Sequence, residues 1–81
     1  MEEQQAVSPI SALVADLELG LSSARLAAHT EDPWFAARNR AKARKAYEAV
    51  MRMIDRVEAD LSERADVRSQ LEQLRRAVQA A

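Results

Sequence analysis

The sequence predicts an all-α protein: an antiparallel helical hairpin followed by a shorter third helix. Three observations lead there. Apolar residues fall in three stripes that step by four and three, the spacing that stacks side chains on one face of a helix. Two helix-start signals, Ser8-Pro9 and Asp32-Pro33, stand 24 residues apart. The apolar phase then breaks once more, between residues 62 and 66. No single helix can hide its own stripe, so the rods must pack on one another, as a three-helix bundle or as a hairpin oligomer.

Residues 1–7 are polar and aperiodic and read as a disordered tail. Residues 8–81 form one helical domain, since 81 residues leave room for no more. Helix 1 is expected over about 9–29. Ser8 can accept a hydrogen bond from an orphan N–H, and Pro9 loses no needed donor at the first helical position. Its main stripe is Ile10, Val14, Leu17, Leu21, Ala24 and Ala28. Gly20 interrupts it at a cost of about 1 kcal/mol relative to alanine, which a close helix–helix contact would explain. A second line, Ala12, Ala15, Leu19, Ser22 and Leu26, lies nearly opposite. Either helix 3 or a second copy of the chain would cover it.

His29, Thr30 and Glu31 form the connection, and Asp32 with Pro33 opens helix 2, expected over about 33–61. So short a link forces an antiparallel hairpin. The stripe of helix 2 is Ala43, Tyr47, Val50, Ile54, Val57 and Leu61. Continued in phase it would bury Arg64, Arg68 and Arg75, yet the apolar residues are Val67, Leu71, Leu74 and Val78. A turn is therefore expected at 62–66, with Ser62 as N-cap, and helix 3 at about 63–79. The rival is one long helix that changes face and packs on another chain.

Composition narrows function by exclusion. There is no cysteine, so no disulfide or zinc-thiolate site is available. The N-terminus lacks the regions of a signal peptide, and no run of about 18 apolar residues occurs, so a soluble cytoplasmic protein is the expectation. The net charge of −1 is unevenly spread. Residues 1–32 hold one basic and six acidic side chains; residues 33–56 hold seven basic and two acidic. The balanced total argues against a dedicated nucleic-acid binder, which usually has a net positive domain. Glu-x-x-His pairs, glycine-rich phosphate loops and nucleophile–base arrangements of Ser or Cys with His do not occur, so no enzyme, cofactor or metal role is expected. His29, the sole histidine, sits where a helix dipole favours a cation and has no second ligand at helical spacing.

The residues with binding potential lie on helix 2. Arg38, Lys42, Lys45, Arg52 and Arg56 keep the four-three spacing, interrupted only by Ala49. Trp34 stands one turn before Arg38, within reach of a cation–π contact worth about 0.5–1 kcal/mol. This strip reads either as a docking surface for phosphate or an acidic partner, with Trp34 as aromatic anchor, or as a solvated face with Trp34 plugging the hairpin end. Asn39 falls inside the apolar arc, opposite Ser23 and Ala24 of helix 1. A buried amide must be hydrogen-bonded, so it reads as a register-fixing polar core residue. Tyr47 lies at the edge of that arc, with its hydroxyl in reach of Asp16 or water. A basic amphipathic helix can also lie on a membrane, but this one has a companion stripe to pack against, and burial is the expected use.

The segment Arg38-Asn39-Arg40-Ala41-Lys42-Ala43-Arg44-Lys45-Ala46-Tyr47, preceded by Asp32-Pro33, resembles a stretch in small bacterial helical proteins. Those combine a Leu-rich first helix, an Asp-Pro turn and an Arg-Asn…Ala-x-Lys-Ala-Tyr second helix. The resemblance spans about residues 13–75. It implies the helical hairpin and carries no activity and no site residues. Leu19-Gly20 and the Ala-Tyr pair are also similar to parts of a tetratricopeptide hairpin, although Ser23 stands where that repeat has an aromatic. Two functions follow as expectations. The first is a non-catalytic protein–protein interaction or self-assembly module using Leu19, Leu26, Trp34 and the charged face of helix 2. The second is nucleic-acid or polyanion binding through the basic strip.

Overall fold

The computed structural model describes residues 9–62 and 64–80, with side chains at 10–57 and 64–80. It is all-α: α1 is Pro9–His29, α2 is Pro33–Ser62 and α3 is Ala65–Ala80. The expected tail at 1–7, the Ser8 cap and the Leu61 side chain lie outside the described residues.

The turn chemistry at the hairpin is as its residues dictate. Asp32 caps α2: its Oδ1 accepts from the N–H of Trp34 at 2.9 Å and of Phe35 at 3.3 Å. Its backbone carbonyl accepts from Ala36 at 2.9 Å, closing the first helical turn. Thr30 Oγ1 accepts from the Asp32 N–H at 3.2 Å and so steadies the link. At the other side of the link, His29 Nδ1 donates to the Arg25 carbonyl at 2.8 Å, one of the acceptors left over at the end of α1.

The α2–α3 break falls inside the interval where the apolar phase changes. Ser62 is the last residue of α2 rather than the cap of α3, which corrects the expected N-cap. Arg64 takes the capping position, with its carbonyl accepting from Arg68 N–H at 3.0 Å. The Asp66 carboxyl then supplies the anionic partner to the new N-terminus. It is held below its ordinary value, first by a hydrogen bond from the Val67 backbone and further by the Arg64 guanidinium 3.5 Å away.

The core lies between the three rods. Leu13, Leu17, Val50, Val57, Val67 and Leu74 are fully buried, with Ile10, Val14, Tyr47, Ile54, Leu71 and Val78 packed around them. α1 and α2 form the main interface, and α3 lies against both. Gly20 sits where all three meet. A Cβ built there would come within 2.8 Å of Leu74 Cδ2, 3.0 Å of Leu74 Cδ1 and 3.1 Å of Ala46 Cβ. The close approach expected of this glycine is thus present, and it involves α3 as well as α2.

α3 does not cover the second stripe of α1. It docks on the side of α2 that carries Arg40, Ala43 and Tyr47, where Ala77, Val78 and Ala80 complete a small apolar cleft. The molecule measures 44 × 30 × 18 Å. α3 lies on one side of the hairpin, against both α1 and α2, and the other side of the hairpin meets solvent.

Candidate functional site

Viewed down α1, each residue advances 100°, so Leu19 and Leu26 lie about 160–180° from Leu17 at the centre of the buried arc. They point away from the core, and they remain 53% and 49% exposed. On α2 the same reckoning places Arg38, Lys42, Lys45, Arg52 and Arg56 on one flank. That flank adjoins α1 and is turned away from α3, because α3 occupies the opposite flank at Arg40, Ala43 and Tyr47. The exposed line of α1 and the basic line of α2 accordingly form one face of the hairpin, the face that α3 leaves open.

All five basic residues are exposed. Among the described residues none of them takes part in an ion pair, and neither do Asp16 and Glu18 on α1. The ion pairs among the described residues belong to α3 and its cap. Glu72 receives Arg75 in a two-pronged contact, with Nε to Oε1 at 3.0 Å, and receives Arg76 Nε at 3.1 Å. Arg75 also donates to Gln79 Oε1 at 3.2 Å. Hydrogen bonding and charge from Arg75, then Arg76, hold the Glu72 carboxyl below its ordinary value.

Trp34 is 80% exposed, the most open of the large apolar residues. It does not plug the hairpin end. The expected cation–π contact with Arg38 is not formed, since no ring contact involves Trp34. The indole stands out from the first turn of α2 as a free aromatic, with Phe35 beside it at 36% exposure.

Two expected polar roles change. Asn39 is buried at 3% exposure, as its place in the apolar arc implies. Its Nδ2 donates to the Phe35 carbonyl at 3.0 Å, one turn back on its own helix, rather than across to Ser23 or α1. A side chain satisfied within its own helix carries no register information to the neighbour. Ser23 is buried as well, on the α1 flank beside α2. Tyr47 is half-buried in the core and turned toward α3, near enough to Arg75 to help raise that guanidinium's pKa, after the larger effect of Glu72. It makes no hydrogen bond to Asp16.

Among the described residues no group of three or more His, Cys, Asp or Glu side chains is arranged to hold a metal ion. No helix there is long and apolar enough to cross a membrane. Leu13 and Ala27 are core residues of α1 outside the predicted stripe, and Leu13 is the larger. It lies about 40° from Leu17, on the side facing α2 with Gly20 and Ala27, and it is fully buried. Comparison with family models, with curated proteins and with solved structures found no match.

Proposed function

We propose that this chain is a non-catalytic interaction module that binds a protein through the open face of its helical hairpin. The observation that carries the reading is the uncovered line of α1, with Leu19 and Leu26 half exposed beside the exposed basic line of α2. Scattered apolar residues on a surface are ordinary. Here they recur at helical spacing on one face, next to a projecting tryptophan, which is the composition of an interface core with a charged rim. Leu19, Leu26 and Trp34 would serve as anchors. Arg38, Lys42, Lys45, Arg52 and Arg56 would steer the encounter and frame the apolar line. The absence of cysteine from the chain suits a reducing compartment such as the cytoplasm.

Site-specific photo-cross-linking tests this in the cells that make the protein. A photoreactive side chain at Leu26 or Trp34 is expected to give a discrete protein adduct, while the same group at exposed Arg44 or Ala41 gives none. Equal or absent labelling at all four positions would remove the reading.

One observation favours a second reading, polyanion binding: the five basic side chains share a flank and are engaged in no ion pair among the described residues. Affinity for DNA or RNA would then fall steeply with salt and be lost on replacing Arg38, Lys42 and Lys45 with glutamine. No detectable binding at low salt would dismiss it.

A further inference from the structure

We infer that the cleft where α3 meets the hairpin takes a free aliphatic carboxylate, octanoate in size, with its chain between the rods and its head on Arg40. The site is separate from the open face, because it lies on the side of the hairpin where α3 docks. Its origin is in the sequence. Along most of the core the rods meet through large side chains: Leu13, Leu17, Val50, Val57, Val67 and Leu74 are fully buried. Toward the α1–α2 link the lining turns small, with Ala24 and Ala28 on α1, Ala43 on α2 and Ala77 on α3. Ala28 lies only about 20° from Leu17 on the helical wheel, at the centre of the buried arc, yet it is exposed. Ala24, Ala77 and Val78 are half-buried. The rods therefore do not close on one another here, and a cleft of about 280 Å³ stands open where core would otherwise be.

The lining fixes the class of ligand. Apart from Arg40, every described residue around the cleft is alanine or valine, and none is acidic. An apolar body with one negative charge is what such walls select. Arg40 stands about 80° from Val50, at the edge of the buried arc of α2 and on the flank opposite the five basic residues of the open face. It is exposed, and its guanidinium makes no ion pair or hydrogen bond among the described residues. A guanidinium offers a planar fork of donors that matches a carboxylate. α1 ends at His29 and α3 at Ala80, so both rods finish beside the cleft in carbonyl acceptors. Those ends repel an anion, which leaves Arg40 as the place for the head. They also favour a monoanion, since one guanidinium would leave a dianionic phosphate with charge to spare.

Size follows from the volume. A cavity of about 150 Å³ takes benzene, with its six non-hydrogen atoms. By that ratio a cleft of 280 Å³ takes about 11, which suits the ten of octanoate. A two-chain lipid exceeds that room.

Titration with sodium octanoate, followed by amide proton–nitrogen NMR, tests the proposal, with far-UV circular dichroism as the folding control. Octanoate is expected to saturate one site with a Kd of about 0.1–1 mM. The amides of Ala24, Ala28, Arg40, Ala43 and Ala77 should move, while those of Leu19 and Leu26 stay still. Affinity should rise by up to about fourfold per methylene from hexanoate to octanoate and level off beyond decanoate, once the cleft is full. Octylamine should bind at least about tenfold more weakly than octanoate. Arg40→Met keeps an apolar stem and should abolish that preference. Ala28→Leu, at an exposed position, should fill the cleft and abolish octanoate binding at unchanged helicity. No saturation by about 10 mM, shifts spread over the open face, or octylamine binding as tightly as octanoate would each overturn the proposal. So would a preference that survives Arg40→Met or binding that survives Ala28→Leu. None of these outcomes touches the open-face reading, which the cross-linking experiment decides.

Discussion

Gly20 and Leu74 supply the sharpest test of how the three helices meet. In an isolated helix, Gly20→Ala should gain about 1 kcal/mol, because alanine loses less backbone freedom and covers more of the helix. Here the new methyl group would lie 2.8 and 3.0 Å from the two Leu74 methyls and 3.1 Å from the Ala46 Cβ. Both branches of Leu74 are affected, and Leu74 is fully buried, so its side chain must shift against packed neighbours to make room. Overpacking of this kind costs about 1–3 kcal/mol, which makes the substitution neutral to destabilising by about 2 kcal/mol overall. Leu74→Ala alone should cost about 2–5 kcal/mol through lost burial and the cavity left behind. In that background the added methyl meets only Ala46 and enters the cavity, so Gly20→Ala should become neutral or stabilising. The pair should therefore show a coupling of about 1–3 kcal/mol in the direction of mutual rescue. Urea unfolding of the four proteins at one fixed concentration, followed by far-UV circular dichroism, measures it. A coupling within about 0.5 kcal/mol of zero, with Gly20→Ala stabilising in both backgrounds, would mean that Leu74 does not rest on Gly20.

Other consequences can be checked the same way. Asp32→Ala should cost about 1 kcal/mol in urea unfolding, since the amides of Trp34 and Phe35 lose their acceptor; Asp32→Asn should restore most of it, and equal losses in both would refute the cap. Asp66 and Glu72 have carboxyl pKa values lowered in the folded state, so their stabilising effect is complete above the ordinary carboxylate values of 3.8 and 4.5 and is lost as pH falls through the lower folded values. α3 should consequently loosen below about pH 4, and Glu72→Gln should flatten that acid limb in thermal melts between pH 2 and 6. Asn39→Leu should be tolerated, because the Asn39 amide bonds only within its own helix; a loss above about 3 kcal/mol would show that it holds α1 after all.

The fold was legible because helix packing is written in periodicity. Ala43, Val50 and Val57 on α2 and Val67 and Leu74 on α3 are buried as their spacing requires. Asp32-Pro33 opens α2 through local chemistry that no distant contact overrides. α1 was harder, since it touches two neighbours and needs an apolar arc wider than one line. Leu13 and Ala27 widen it toward α2, and a search for a single stripe passes over both. The Ser62 cap failed because helix ends shift by a residue or two without cost to the phase of the stripe, and α2 runs on through Ser62. Trp34 was legible as an aromatic on the basic flank, but its exposure was not. Whether an indole folds inward or stands free depends on what the neighbouring helix end offers it, and periodicity does not encode that. Asn39 was correctly placed in the core, while its partner depended on side-chain rotation alone.

The two sides of α1 make separate thermodynamic statements. Leu74 presses on Gly20 from the side where α3 lies, whereas Leu19 and Leu26 point away from it. Substitutions on the open face therefore leave the packing of α3 intact, and those at Gly20 or Leu74 leave the open face intact. Sites without shared contacts add within about 0.3–0.5 kcal/mol, so Leu74→Ala and Leu19→Lys should be additive in urea unfolding. A departure from additivity of more than about 1 kcal/mol would show that the open face and the α3 contact are coupled through α1, and the separation of the two sides would fall.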